Sequence, residues 1–254
     1  MPFMTIQNER IYYNQTGENR GAGRTVVLLH GSGGTGRKWF AQLAVVGGHR
    51  IIAPDLPGHG RSEGQPRDSV AEYREFVYNF VRTLGLKKFV IGGHSLGGAI
   101  ALDFALTRPD LLDGMILVGS GGRLRVKPEI LEILARGKHP VGNLEYSYAL
   151  NTRKDVLDKA AMEMMDVPVR VYLADFMACD RFDVLDRLGG IEVPTLVICG
   201  KDDRMTPVKY SEYLSGHIPN ARLALITDGG HMVMIEQPLA VNEHVAAFLD
   251  ALQG

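Results

Sequence analysis

The stretch KFVIGGHSLGGAIALDF, residues 88–104, decides the fold. It starts as a short apolar run, passes through Gly92, Gly93, His94, Ser95, Leu96, Gly97 and Gly98, and continues as a segment apolar nearly all round. A strand turning straight into a buried helix has this pattern, because a helix without a polar face must be covered on every side. Gly93-His94-Ser95-Leu96-Gly97 is a G-x-S-x-G match at the turn itself. A serine on so sharp a turn needs small neighbours to let strand and helix approach, and its hydroxyl then stands clear of the backbone.

The same rhythm extends in both directions. TVVLLH (25–30), HRIIAPD (49–55), GMILVGS (114–120), TLVICG (195–200) and ARLALIT (221–227) are further short β-branched runs that end in small or polar residues. FMTIQ (3–7) and RIYYNQ (10–15) lie close together and suit an antiparallel edge pair. Helix-period segments separate the runs. In SVAEYREFVYNFVRTLG (69–85), Ser69 and Glu72 have capping-box spacing and Gly85 is placed to end the helix. Alternation of this kind predicts a mostly parallel, eight-stranded α/β sheet flanked by helices. Residues 121–188 break the rhythm: PEILEILARG, KDVLDKAAMEMMD and PVRVYLADFMACD are helix-like and carry no strand signal. They predict a helical cap, 121–188, inserted in a core domain formed by 1–120 and 189–254.

Composition removes several function classes. A formal net charge of −1 over 254 residues, without a basic stripe or tail, lacks the signature of a nucleic-acid binder. No apolar run approaches the ~18–20 residues needed to span a bilayer, and MPFMTIQNER has no secretory pattern. A cytoplasmic protein without membrane partners is expected. Cys179 and Cys199 are the only cysteines, and Cys199 lies in an apolar run where a free thiol behaves as a small hydrophobe. There is no H-E-x-x-H and no cysteine–histidine cluster, so neither a metal nor any other cofactor is expected.

A serine hydroxyl becomes nucleophilic only beside a base, and the base needs a partner that fixes its tautomer. GKDDRMTP (200–207) offers Asp202 and Asp203 just past a strand, and DGGHMV places His231 in a glycine-rich loop after the last strand. The chain order serine, acid, histidine is the one a nucleophile elbow requires. The other glycine loop, Gly31-Ser32-Gly33-Gly34-Thr35-Gly36, satisfies G-x-G-x-x-G, and Asp55 lies where a ribose-binding carboxylate would stand. That dinucleotide alternative leaves the later strand ends unexplained. A Walker-A loop fails, because Arg37-Lys38 follows Gly36.

Together HGSGG (30–34), DLPGHGRS (55–62), GHSLGG (93–98), the G-x-x-D-x-x-x-P pattern at 200–207 and GHMVMIEQP (230–238) make the chain resemble the α/β-hydrolase superfamily, in its serine carboxylesterase-like branch, over essentially its whole length. The resemblance implies Ser95 as nucleophile, Asp203 as orienting acid and His231 as general base, with Asp202 one register step away. It implies the backbone N–H groups of Ser32 and Leu96 as oxyanion donors, with His30 fixing the loop from below and His94 directed into the sheet support. His49, His139, His217 and His244 have no partner spacing. A substrate pocket is expected to draw on Gly31, Gly33, Met162, Tyr172, Phe176, Met177 and Met232, with Met164 and Met165 nearby. The implied activity is hydrolysis of small-molecule carboxylic esters of short to medium acyl chain by a monomer or homodimer. Serine at position 95 argues against the dehalogenase and epoxide hydrolase branches, which place aspartate there. A C–C hydrolase of dienoic products is an alternative, weakened by His94 and Met232 where that group carries asparagine and tryptophan. An enol-lactonase, a perhydrolase or a small-molecule receptor on the same fold remain further alternatives.

Overall fold

A computed structural model of the chain describes residues 3–17, 23–45 and 48–252. In chain order its elements are β1 (Phe3–Ile6), β2 (Glu9–Thr16), β3 (Thr25–Leu29), α1 (Phe40–Val45), β4 (Arg50–Pro54), α2 (Val70–Thr83), β5 (Phe89–His94), α3 (Leu96–Thr107) and β6 (Leu112–Val118). There follow α4 (Pro128–Ala135), α5 (Lys154–Asp166), α6 (Val169–Arg181), β7 (Thr195–Gly200), α7 (Val208–His217), β8 (Ala221–Ile226), α8 (Val233–Glu236) and α9 (Pro238–Ala251). The strands form one eight-stranded sheet in the order β1-β2-β4-β3-β5-β6-β7-β8. Pairs β1–β2 and β2–β4 are antiparallel, and every later pair is parallel. The expected fold class is therefore the observed one.

The central strands are buried along their whole length because both sheet faces are covered. Alternate residues serve opposite faces. Val27, Leu29, Ile52, Ile91 and Leu117 pack with Tyr73, Phe76 and Phe80 of α2 and the apolar body of α3. Val26, Leu28, Ile51, Val90 and Ile116 pack with Trp39 and with Phe248 and Leu249 of α9. The Ser69 hydroxyl accepts the Glu72 N–H at 3.3 Å, so the cap read from the sequence forms. Its reciprocal half differs, since the Glu72 carboxylate takes the Ser69 hydroxyl at 3.0 Å.

Strand order reverses direction around β3, which has β4 on one side and β5 on the other. At such a switch point the loops leaving two neighbouring strands diverge and leave a crevice. Here those loops begin with His30 and Ser95. The segment between β6 and β7 carries α4, α5 and α6, and its Ile130, Leu134 and Tyr172 form a small cluster apart from the two main ones. Ala178, Cys179 and Phe182 join the α2–α3 side of the main core. No helix among the described residues is long and apolar enough to cross a membrane.

Close approach at the β5–α3 turn depends on missing side chains. A Cβ on Gly93 would collide with the Gly97 carbonyl, and one on Gly97 with the carbonyls of Leu29 and His30. Gly97→Ala is accordingly expected to lower unfolding free energy by about 1–3 kcal/mol, the usual cost of overpacking against atoms that cannot retreat. Urea denaturation of the two proteins checks it.

Candidate active site

Ser95 occupies a backbone region that L-residues rarely adopt, at φ 53° and ψ −114°. Such a conformation costs about 1–3 kcal/mol and persists only where neighbours over-determine it. They do here. The Ser95 N–H donates to the Val118 carbonyl at 3.0 Å. Its own carbonyl accepts the N–H groups of Gly98 and Ala99 at 2.9 and 3.1 Å and the Ser120 hydroxyl at 2.8 Å. The turn opens α3, whose first N–H groups have no intrahelical acceptor. Among the described residues the Leu96 N–H has no protein acceptor.

The loops after β7 and β8 bring Asp203 and His231 together. His231 Nδ1 lies 2.9 Å from Asp203 Oδ2 and 3.2 Å from the Thr206 hydroxyl, which itself donates to Asp203 Oδ2 at 2.8 Å. The other carboxylate oxygen accepts the N–H groups of Met205 and Thr206 at 2.9 and 2.8 Å. An acceptor set of this kind assigns the proton of His231 to Nδ1 and leaves Nε2 as the basic nitrogen. Burial alone would raise the Asp203 pKa, but the imidazole and the bonds from His231 and Thr206 outweigh it and hold the carboxyl below its usual range. Asp202 is half-buried and offers its N–H to the Gly229 carbonyl at 2.9 Å, so geometry picks Asp203 from the pair.

His94 supports the same loop from beneath. Its Nε2 donates to the His231 carbonyl at 2.9 Å, with the two rings 4.6 Å apart, which sets the imidazole beside the Ser95 turn. Burial and the neighbouring His231 push the His94 pKa down to about 3, so its ring is neutral. Gly119 leaves room for the pair, since a Cβ there would stand 3.2 Å from His231 Nδ1 and 3.3 Å from Asp203 Oδ2. Glu236 fastens the loop to the β6–β7 segment. It accepts the Gly230 N–H on one oxygen and the Ala149 N–H and Thr152 hydroxyl on the other, each at 2.8 Å.

The HGSGG loop lies directly over Ser95, because a Cβ on Gly31 would sit 3.2 Å from that of Ser95. His30 is fully buried; its Nε2 accepts the Leu56 N–H at 3.0 Å and its Nδ1 donates to the Gly31 carbonyl at 2.9 Å. The same carbonyl accepts the Gly34 N–H at 3.0 Å. With that carbonyl held twice, the planar peptide directs the Ser32 N–H the opposite way. Among the described residues the Ser32 N–H has no protein acceptor either. Asp55 spends its carboxylate on the N–H groups of Gly36 and Arg61, at 2.8 and 3.0 Å, and so ties this loop to the DLPGHGRS turn.

Of the expected pocket residues, Gly33 sits under the Tyr172 ring, which stacks on Phe176 at 6.1 Å. Met164 packs in the same small cluster, whereas Met162 and Met165 are 63% and 56% exposed. Met177 and Met232 are half-buried, and the Met232 N–H donates to the Ser147 carbonyl at 3.0 Å. Thr206, Glu236, His59 and Asp175 also hold the site together, and no motif in the sequence assigns a role to the first three. The last is an acidic residue in an otherwise apolar helical stripe of Val171, Tyr172, Ala178 and Cys179, a legible sign of a buried carboxylate. Both cysteines are free and buried, and among the described residues no group of three His, Cys, Asp or Glu side chains converges as metal ligands would.

Comparison with known proteins places these features in a family. The sequence profile of the alpha/beta hydrolase family matches residues 26–244. A putative carbamate hydrolase RutD of Rhizobium rhizogenes is 30% identical over 262 residues, covering 95% of this chain and 98% of that protein. A 2-hydroxy-6-oxo-6-phenylhexa-2,4-dienoate hydrolase of Burkholderia cepacia is 28% identical, covering 96% and 92%. Among solved structures, a thermophilic esterase is 37% identical with a TM-score of 0.86 over 98% of this chain and 97% of that one.

The Asp203 pairing has a pH signature. A carboxyl whose folded pKa is depressed contributes stability above its unfolded value of ~4, and that contribution is lost as pH falls through the folded value. Melting temperatures of the wild type and Asp203→Asn, measured from neutral pH downward, are expected to differ most at neutral pH and to converge in acid.

Proposed function

Because the chain belongs to the alpha/beta hydrolase family and is a hydrolase, we propose that it cleaves carboxylic esters through an acyl-enzyme formed on Ser95. The observation that carries this reading is the buried His231–Asp203 pair, 2.9 Å apart, on the sheet rim that presents the strained Ser95 turn. Ser95 Oγ attacks the ester carbonyl while His231 Nε2 takes its proton. The imidazolium is stabilised by Asp203 and returns the proton to the departing alcohol. Water, deprotonated by the same nitrogen, then releases the acid. In both steps the negative charge develops on the former carbonyl oxygen, and the free N–H groups of Ser32 and Leu96 are the donors that meet it. Removing one such donor elsewhere costs about 3–4 kcal/mol of barrier.

Residues 121–188 act as a helical cap over this rim. Tyr172 and Phe176 offer an aromatic wall beside Gly33, suited to acyl groups of short to medium length. The kinship with a putative carbamate hydrolase favours a second reading, in which the same attack opens a carbamate. Side-by-side rates on matched ester and carbamate substrates decide between them, and the ester is expected to be the faster.

Ser95→Ala is expected to abolish turnover of p-nitrophenyl acetate with the melting temperature retained. Asp203→Asn is expected to lower kcat by about 10⁴-fold, the loss seen when the imidazole takes the wrong tautomer. Asp202→Asn should leave kcat near wild type. Across p-nitrophenyl esters of increasing length, kcat/KM is expected to peak at short to medium chains, and a maximum at long chains would reject the pocket assignment.

A further inference from the structure

A second buried carboxylate, outside the catalytic three, gathers donors from three separate parts of the chain. Asp175 of α6 is fully buried and accepts three donors: the Gly33 N–H at 2.8 Å, the Tyr73 hydroxyl at 2.6 Å and His59 Nε2–H at 2.9 Å. Those donors come from the loop after β3, from α2 and from the turn after β4. His59, whose side chain has no exposed surface, also points Nδ1 at the Pro57 carbonyl, 3.0 Å away. A carbonyl and a carboxylate oxygen can only accept. An imidazole facing an acceptor at each nitrogen carries a proton on both, so His59 is a cation and Asp175 its anion.

We propose that Asp175 is a positioning residue for the Ser32 oxyanion donor, fixing from α6, in concert with the His59 cation, the peptide plane that adjoins that donor. The inference deepens the serine-hydrolase reading and rests on it. Two consecutive peptides define where the Ser32 N–H points. The Gly31–Ser32 plane is held through its carbonyl by His30 and Gly34, and the Ser32–Gly33 plane is held through the Gly33 N–H by Asp175. Gly33 has φ +64°, and the space a Cβ would need is filled by the Tyr172 ring. Tyr172 and Asp175 are one helical turn apart on α6, so a ring and a carboxylate from the same helix grip one glycine of the loop. Without the carboxylate, the Gly33 N–H would lose its only protein acceptor among the described residues and the plane could rotate.

Charge explains why an aspartate fills this position. The groups facing His59 are Asp175, Asp55, the His30 ring at 4.9 Å and the Tyr73 ring at 6.3 Å. Burial alone would lower its pKa, but the Asp175 charge and hydrogen bond, the Pro57 carbonyl and Asp55 outweigh it and raise it above the ordinary histidine value. His30 moves the opposite way, lowered by burial and by the His59 cation, which keeps it in the neutral form that holds the Gly31 carbonyl. Because the folded pKa of His59 is raised, the pair is complete below the unfolded value and is lost as pH rises through the folded one.

Asp175→Asn tests this in the full-length protein. Kcat on p-nitrophenyl acetate is expected to fall about 10- to 100-fold with KM unchanged, the effect of a small displacement at a catalytic group. Affinity for a trifluoromethyl ketone, whose hemiketal oxygen occupies the oxyanion position, should fall by the same factor as kcat/KM. Nitrogen-15 spectra of histidine-labelled protein at neutral pH should show both His59 nitrogens protonated in the wild type and only one in the variant. Should Asp175→Asn not fold, Tyr73→Phe, which removes one of the three donors, is expected to give a smaller loss confined to kcat. Wild-type kcat and inhibitor affinity in a folded variant, or a neutral His59 in the wild type, would overturn the proposal. Ser95→Ala in the same assay separates the two claims: if it is inactive while Asp175→Asn is normal, only the positioning role falls, and if it is active, the serine reading itself falls.

Discussion

The structure depends on how closely one strand and one helix can approach each other at Ser95. The turn is strained, with a serine at positive φ, and it exists only because Gly93 lacks the Cβ that would separate β5 from α3 and Gly97 the one that would push α3 off the end of β3. That closeness leaves the Leu96 N–H at the open start of a helix and the serine hydroxyl at the sheet edge. It also fixes where everything else must come from. The loop after β3 can supply a second donor only because β3 is the neighbour of β5, and His231 can reach the rim only because β6 and β7 carry the sheet on to β8.

Around this turn the protein buries more polar groups than a purely structural core would need. Asp55, Asp175, His30, His59 and His94 are all nearly inaccessible. Each would cost several kcal/mol if left without partners, and each has them. Their partners are predominantly backbone groups of the loops that frame the crevice: Gly31, Gly33, Gly36, Leu56, Pro57, Arg61 and the His231 carbonyl. Buried side chains thus hold irregular backbone in place where sheet and helix hydrogen bonds are not available. Such loops are otherwise the mobile part of a protein.

Much of this was legible from the sequence, and the boundary of legibility has physical causes. The eight strands announce themselves through β-branched runs, and α4, α5 and α6 coincide with the three helical segments read between Gly or Pro breaks. Ser95, Asp203 and His231 could be named because each follows a strand at a spacing the motif requires. The G-x-x-D-x-x-x-P pattern already favoured Asp203 over Asp202, and it is the Asp203 carboxylate that meets the His231 imidazole. The His59–Asp175 contact spans 116 residues, and no local pattern encodes a pairing at that distance. The methionines of α5 show the opposite error. Their apolar character suggested a pocket lining, yet Met162 and Met165 face solvent, since composition alone does not say which side of a helix is covered.

The central claim is that Ser95 is the reactive group and that the N–H groups of Ser32 and Leu96 receive the charge it creates. A crystal structure of the protein after reaction with a serine-directed fluorophosphonate examines all three atoms at once. The account predicts a single adduct on Ser95 Oγ with the phosphoryl oxygen within hydrogen-bond distance of both N–H groups and His231 Nε2 beside the Ser95 oxygen. An adduct on another residue, or a phosphoryl oxygen directed away from the HGSGG loop, would contradict it.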